Sequence, residues 1–424
     1  MNYIQKFILI IFPIVALRFY NYVGIDHKFV TTISLLVVSG ALVYSIKDLI
    51  FRYIDYRTFH GLIRLFLINL LLSTLMAFFI WGQNVFLTYS ITIQLWAAVY
   101  FFLLYRWQPP VVFVERIFIG YALLFLLMWC VGIYYAPIEV FHTSDYEELN
   151  DGRGLFRLRL DGLSYVVMAF FISLNKFVDN EKKWGWLLFA VLLFVGIVLQ
   201  LTRQVIFLTF LIGILYIVNY KKKWLVYILV SSLILFSFLS SEIFDDGIIG
   251  TMTELTENQL DEHQQGNEDI RVTEYRFFFT QFNKSPVSFL FGNGLAHSYS
   301  EYGEYVLFLA GNYGLFPSDV GYAHIFVCLG LVGLFVFYLL MRKGLKTPLS
   351  QGFIYLKLYM FYVLLGNIAS SPFMKDIVPF VLCIYLIDRV SLFSNDNEIK
   401  KEIDSQYCNK SDDKVSFDSG FLNK

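Results

Sequence analysis

About twelve runs of roughly 17–25 apolar residues decide what this chain can fold into, because about 20 residues at helical rise cross the hydrocarbon of a bilayer. They lie at 7–23, 29–46, 61–82, 86–105, 111–135, 161–178, 184–201, 203–220, 224–241, 321–341, 352–370 and 376–393. Hydrocarbon gives the backbone no hydrogen-bond partner, so each run must be helical. The expected fold is all-α, a polytopic membrane protein. Composition agrees: 57% of residues are hydrophobic and 16% charged, against roughly 45–50% and 25% in soluble domains. The first run could be mistaken for a signal peptide, but Arg18-Phe-Tyr follows where a small-residue cleavage site would stand, so it reads as a retained helix.

Orientation follows from where lysine and arginine fall in the short connections. With the N-terminus inside, Lys47, Arg52, Arg57, Arg106, Lys182, Lys183, Lys221 to Lys223, Arg342, Lys343 and Lys346 are all cytoplasmic. The expected layout is a membrane domain over 1–393 with an extracytoplasmic loop at 242–320 before the tenth span. A polar cytoplasmic tail follows at 394–424, with the low-aromatic composition of a disordered end. A net charge of −1 gives no global basic field and so excludes nucleic acid as an expected partner. The four cysteines, Cys130, Cys328, Cys383 and Cys408, show neither a disulfide framework nor metal-ligand spacing. No Walker loop, dinucleotide fingerprint, zinc-protease motif or nucleophile elbow is present.

Irregular, glycine-punctuated, charged sequence must lie outside the hydrocarbon or line a wet cavity, which directs attention to 242–333. This segment begins acidic, turns basic and aromatic at Arg271-Val-Thr-Glu-Tyr275-Arg276, and runs through Gly292-Asn-Gly294, His297, Asp319 and His324 to Gly330-Leu-Val-Gly333. A second outer segment, Ala136 to Gly162, carries Arg153, Arg157 and Arg159 on the side that the positive-inside rule depletes. Arg203 follows Thr202 in a very tight turn between two apolar runs. A charge at membrane depth is costly and marks a functional site by default, the plainer reading being an arginine that snorkels to the interface. Arg271 and Arg276 are about 140° apart on a helix, so a straight helix cannot aim both at one ligand. Arg271 can instead pair with Glu274 at i+3. Arg271, Tyr275, Phe278 or Phe279, and Phe282 form one stripe that could lie in the interface plane. Guanidinium forks suit phosphate, and this outward-facing set of arginines points to an anionic substrate such as a pyrophosphate. Asp319 or His324, and less directly His297, could act as a base towards a hydroxyl. For each histidine the plainer reading is a hydrogen bond to a neighbouring helix. Gly330-Leu-Val-Gly333 has small-residue spacing for close helix packing.

These residues resemble the O-antigen polymerase and ligase superfamily. The arginine-rich Arg157-Leu-Arg159-Leu-Asp-Gly precedes a mid-chain span, and Thr202-Arg203 stands as a shortened hairpin turn. Arg271 lies fifteen residues before Pro286, which leads into Gly292-Asn-Gly294, and Asp319 lies eleven before Gly330-Leu-Val-Gly333. In the ligase branch the last polar position is a histidine, and the position of Tyr275 is often tryptophan; both departures lean towards a polymerase.

The resemblance implies a GT-C-like membrane glycosyltransferase of the bacterial inner membrane, active on its extracytoplasmic face. It would polymerise undecaprenyl-diphosphate-linked repeat units of a lipopolysaccharide O-antigen or a capsule. Arg203 and Arg271 would stabilise the departing diphosphate, and Asp319 or His324 would take the acceptor proton. Arg157, Arg159, Tyr275, Arg276 and His297 would help hold substrate. No cofactor or metal is implied. The partners would be the lipid-linked glycan, the bilayer, and possible flippase and chain-length-regulator proteins. A ligase with a lipid A core acceptor and a polysaccharide flippase are the alternatives.

Overall fold

The computed structural model describes residues 1–16, 22–50, 58–136, 138–141, 146–148, 156–158, 160–179, 184–200, 202–220 and 269–393. It is helical throughout apart from one short hairpin. The helices are α1 (Tyr3–Ala16), α2 (His27–Tyr44), α3 (Ile46–Ile50), α4 (His60–Trp81), α5 (Val85–Ile91), α6 (Ile93–Trp96), α7 (Tyr100–Trp107) and α8 (Val111–Tyr134). After the hairpin β1 (Tyr146–Glu148) and β2 (Phe156–Leu158) come α9 (Leu163–Asp179), α10 (Trp184–Val198) and α11 (Arg203–Tyr220). Three short helices, α12 (Ile270–Thr280), α13 (Pro286–Phe291) and α14 (Glu301–Tyr313), precede α15 (Gly321–Lys346), α16 (Ile354–Gly366), α17 (Pro372–Lys375) and α18 (Ile377–Phe393).

Four helices, α4, α8, α11 and α15, are each long and apolar enough to cross a membrane, and α5 with α6–α7 forms a fifth candidate bent by 68°. The chain is thus a multi-pass helical membrane protein. Every apolar run read from the sequence falls on a helix except 224–241, which lies outside the described residues, as do 242–268 and the tail 394–424. Helices α1, α2, α10 and α16 are apolar but shorter than a full span.

Helix α9 is the centre of the bundle, buried almost without a break from Ser164 to Asn175. A helix apolar all round belongs inside a protein or a membrane. It packs between α8, α10, α11 and α16. One charged pair enters this core: Lys176 Nζ lies 2.5 Å from Glu115, which also accepts from Tyr355 Oη at 2.9 Å.

On one end of the bundle, α12–α14 form a cap over the C-terminus of α4. Helix α4 stops at Gly82, whose φ of +66° is the left-handed conformation that closes a helix. The cap carries its own aromatic core of Trp81, Phe278, Phe282 and Tyr302. Trp81 stacks on Tyr302 with ring centroids 4.4 Å apart and donates to Asn293 Oδ1 at 2.9 Å. The aromatic face of α12 is therefore buried against protein, where the sequence allowed a helix lying in the membrane interface.

Helix α15 breaks at Gly330, where φ is +67°. Breaking a helix orphans carbonyls of the preceding turn, and these need other donors. They find them: Asn293 N bonds Val327 O at 2.8 Å and Gly294 N bonds Cys328 O at 3.1 Å. Ser73 Oγ also reaches Cys328 O at 2.5 Å, and Asn69 Nδ2 reaches Leu329 O at 2.7 Å. The glycine loop 292–294 and the polar stripe of α4 thus dock on one break. A Cβ at Gly330 would sit 2.3 Å from Leu290 O, so the approach admits only glycine.

Candidate active site

At the same end of the bundle as the cap, five segments surround a cavity of about 380 Å³. They are the lead-in to α9 (Leu160 to Ser164), the turn into α11 (Thr202 to Val205), Arg271 on α12, Ser318 and Asp319 before α15, and Ala369 to Asp376 between α16 and α18. Arg203, Arg271 and Asp319, far apart in sequence, all line it.

The rim is built by hydrogen bonds that converge on Leu364 to Ser371. Gln204 Nε2 donates to Gly366 O at 2.9 Å, Tyr275 Oη to Ile368 O at 2.7 Å and Tyr322 Oη to Leu364 O at 2.8 Å. Ser371 Oγ donates to Ser318 O at 2.7 Å, which ties this segment to the turn bearing Asp319. A Cβ at Gly321 would meet Ser370 O at 2.0 Å, so here too glycine permits the contact. Asp376, buried at the floor, accepts from Ser164 N at 3.3 Å and joins the start of α9 to the start of α18.

Two acidic groups, Asp269 just before α12 and Glu274 within it, organise this end of the cavity. Asp269 caps the helix by accepting from Arg271 N at 2.8 Å. Glu274, 1% exposed, accepts from Phe316 N at 2.8 Å and so fixes the loop that leads to Asp319. Burial pushes its carboxyl up to about 7, the bond from Phe316 working in the opposite direction. The expected surface ion pair between Arg271 and Glu274 is not formed: Glu274 turns inward to the loop, and Arg271 faces the cavity.

The remaining candidates stand elsewhere. His324 is one layer behind the cavity wall, with Nδ1 3.1 Å from Ser371 Oγ. Tyr275 braces the rim through its hydroxyl. Arg276 is exposed and does not line the cavity. His297 is held in the cap, where its backbone N–H donates to Gln83 and its Nδ1 accepts from Tyr299 N at 3.2 Å. The backbone of Arg157 lies in β2 opposite Glu147, while Arg153 and Arg159 lie outside the described residues. Sequence reasoning passed over Lys375, Asp376 and Ser371, which line the cavity. The available signal was Ser370-Ser-Pro-Phe-Met-Lys-Asp376, a charged pair at the outer end of an apolar run.

The cavity wall carries three cations, Arg203, Arg271 and Lys375, beside the carboxylates Asp161, Asp319 and Asp376. Such a wall can neutralise a multiply charged anion while an exposed carboxylate stays at hand for a proton. Among the described residues no group of His, Cys, Asp or Glu side chains has the clustering of a metal site.

The fold and cavity define a multi-pass membrane protein with a cation-lined site at one end of its helical bundle. Residues 188–338 match the family model described as O-Antigen ligase, and this match supports the resemblance to the superfamily of O-antigen polymerases and ligases. The matched stretch contains Arg203, Arg271, Asp319 and His324 but stops short of the rim at 369–376. No curated protein and no solved structure matches the chain.

Proposed function

We propose that this protein polymerises lipid-diphosphate-linked oligosaccharide repeat units into a surface polysaccharide, at the extracytoplasmic face of the bacterial inner membrane. The observation that carries this reading is the meeting of Arg203, Arg271 and Asp319 in one cavity. The hydroxyl of the acceptor unit's terminal sugar attacks the anomeric carbon of the growing glycan. A new glycosidic bond forms as the bond from that carbon to the diphosphate oxygen breaks. Asp319 takes the hydroxyl proton, and the electron pair of the broken bond leaves on undecaprenyl diphosphate. Arg203 and Arg271, with Lys375 beside them, neutralise the charge growing on the leaving group, a preorganised electrostatic role. His324 acts through Ser371 as a positioning residue, and Arg157 and Arg159 remain candidates for holding the lipid-linked units.

The family description favours one second reading, a ligase that uses the same donor and passes the glycan to a lipid A core. Purified protein supplied with lipid-linked repeat units alone, without flippase or energy source, should make polymer. Product only after lipid A core is added would establish the ligase. Movement of the unit across a vesicle membrane without any new bond would replace both readings with a flippase.

A further inference from the structure

The other end of α15 holds a second cavity, larger than the first at about 710 Å³, between α3, α4 and α15. On this helix it is lined by Leu339, Arg342, Lys343 and Lys346, beyond the break at Gly330 and away from Gly321. Among the described residues four cations line it, Arg64, Arg342, Lys343 and Lys346, and no carboxylate does. Two of the four are held by carbonyls: Arg64 donates to Asp48 O, and Lys343 donates to Thr58 O while lying 4.9 Å over the Phe59 ring. Arg342 and Lys346 are exposed, one helical turn apart on one face, and neither side chain has a hydrogen-bond or ion-pair partner among the described residues. Like charges at i and i+4 repel, so the pair gains from an anion placed between them.

Below this basic mouth the wall is apolar. Leu62, Leu65, Ile68 and Leu339 line a slot that continues along α4, with Leu65 and Ile68 open to the surroundings of the bundle. A basic rim over an open apolar slot matches one amphiphile in shape and charge. We infer that this cavity binds an anionic diacyl phospholipid of the cytoplasmic leaflet, its headgroup phosphate between Arg342 and Lys346 and an acyl chain along α4. Basic side chains at the end of a span would snorkel to the headgroups without any pocket. Here the charges crown a defined cavity, which makes the site selective for headgroup charge. The inference rests on the membrane orientation of the proposed function and not on its chemistry.

The test is native mass spectrometry of the purified full-length protein, delipidated and titrated with phosphatidylglycerol or phosphatidylcholine. Wild type should retain phosphatidylglycerol about tenfold or more over phosphatidylcholine, given the attraction of each near-surface cation to anionic lipid. Arg342→Gln with Lys346→Gln should erase that preference, and Arg342→Gln alone should remove part of it if the double variant does not fold. Lys6→Gln, at the same face but off the cavity, should leave it unchanged. Equal retention by wild type and double variant, or equal loss in Lys6→Gln, overturns the inference. Displacement of the lipid by millimolar inorganic phosphate would also overturn it and give the site to a soluble anion. Polymer formation measured on the same preparations separates this result from the polymerase reading, since either can fail alone.

Discussion

Arg203 is the first residue of α11, whose opening turn lines the cavity beside Arg271 and Asp319. Lysine at this position keeps the charge but loses the planar fork. Polymer length in the cell envelope should therefore collapse for Arg203→Ala and stay well below normal for Arg203→Lys, each at normal membrane abundance; normal polymer from the alanine protein would remove Arg203 from the site. Glu274 offers a different handle. Its folded carboxyl sits near 7, above its unfolded value, so the stabilisation from the bound proton is complete at low pH and is lost as pH rises through about 7. Glu274→Gln keeps the acceptor for Phe316 N and removes the titration. Thermal unfolding in detergent should show wild type losing stability between pH 5 and 8 and the glutamine variant holding level across that range. Parallel curves would mean that Glu274 is ionised throughout. Neither the inward turn of Glu274 nor its bond to Phe316 was legible in the sequence, since i+3 spacing pointed to Arg271 and the true partner is 42 residues away.

The break in α15 shows why helix positions were easier to read than their interruptions. Hydrophobic length marks a helix through local sequence, and the described apolar runs became helices near their expected bounds. A break depends on whether distant groups stand ready to cap the freed carbonyls. At Gly330 these groups come from Asn69 and Ser73 on α4 and from the loop 292–294. Read alone, Gly330-Leu-Val-Gly333 signalled close packing, and the packing is there, with Gly333 against Leu329 and Asn69; the kink was not foreseen. Gly330→Ala must carry a side chain at φ +67° and push on Leu290 O, which should cost at least about 2 kcal/mol. Gly311, inside α14 with open space around it, is the control, and Gly311→Ala should instead stabilise by about 0.5–1 kcal/mol. Equal melting temperatures for the two variants would contradict the account of the break. The 68° bend after Ile91 was likewise read as one continuous run, because its apolar residues carry on through Thr92 without a charge or proline.

The proposed layout in the bilayer joins the two cavities into one account, with the cation-lined cavity at the cap end facing outside and the basic pocket at the other end facing the cytoplasm. Lysine and arginine positions are the basis for expecting that polarity, whereas the rim at Ser371 to Asp376 stayed hidden because hydrogen bonds, not a motif, bring it to Ser318 and Ser164. Single cysteines at Ser298, in the cap, and at Ser350, beyond the C-terminus of α15, test the polarity after the native cysteines are replaced. An impermeant thiol reagent added to intact cells should label the first and spare the second; labelling of both, or of Ser350→Cys alone, would invert or dissolve the layout. The central claim is that Asp319 takes the acceptor proton in a cavity whose arginines hold the diphosphate. Its most direct measurement is the rate of polymer formation from lipid-linked units by purified wild type, Asp319→Asn and His324→Ala. Asparagine preserves shape and polarity but cannot accept the proton, so Asp319→Asn should lose about 10²–10⁴ in rate while His324→Ala, displaced by one layer, loses much less. A normal rate for Asp319→Asn together with abolition by His324→Ala would contradict the account and move the base to His324.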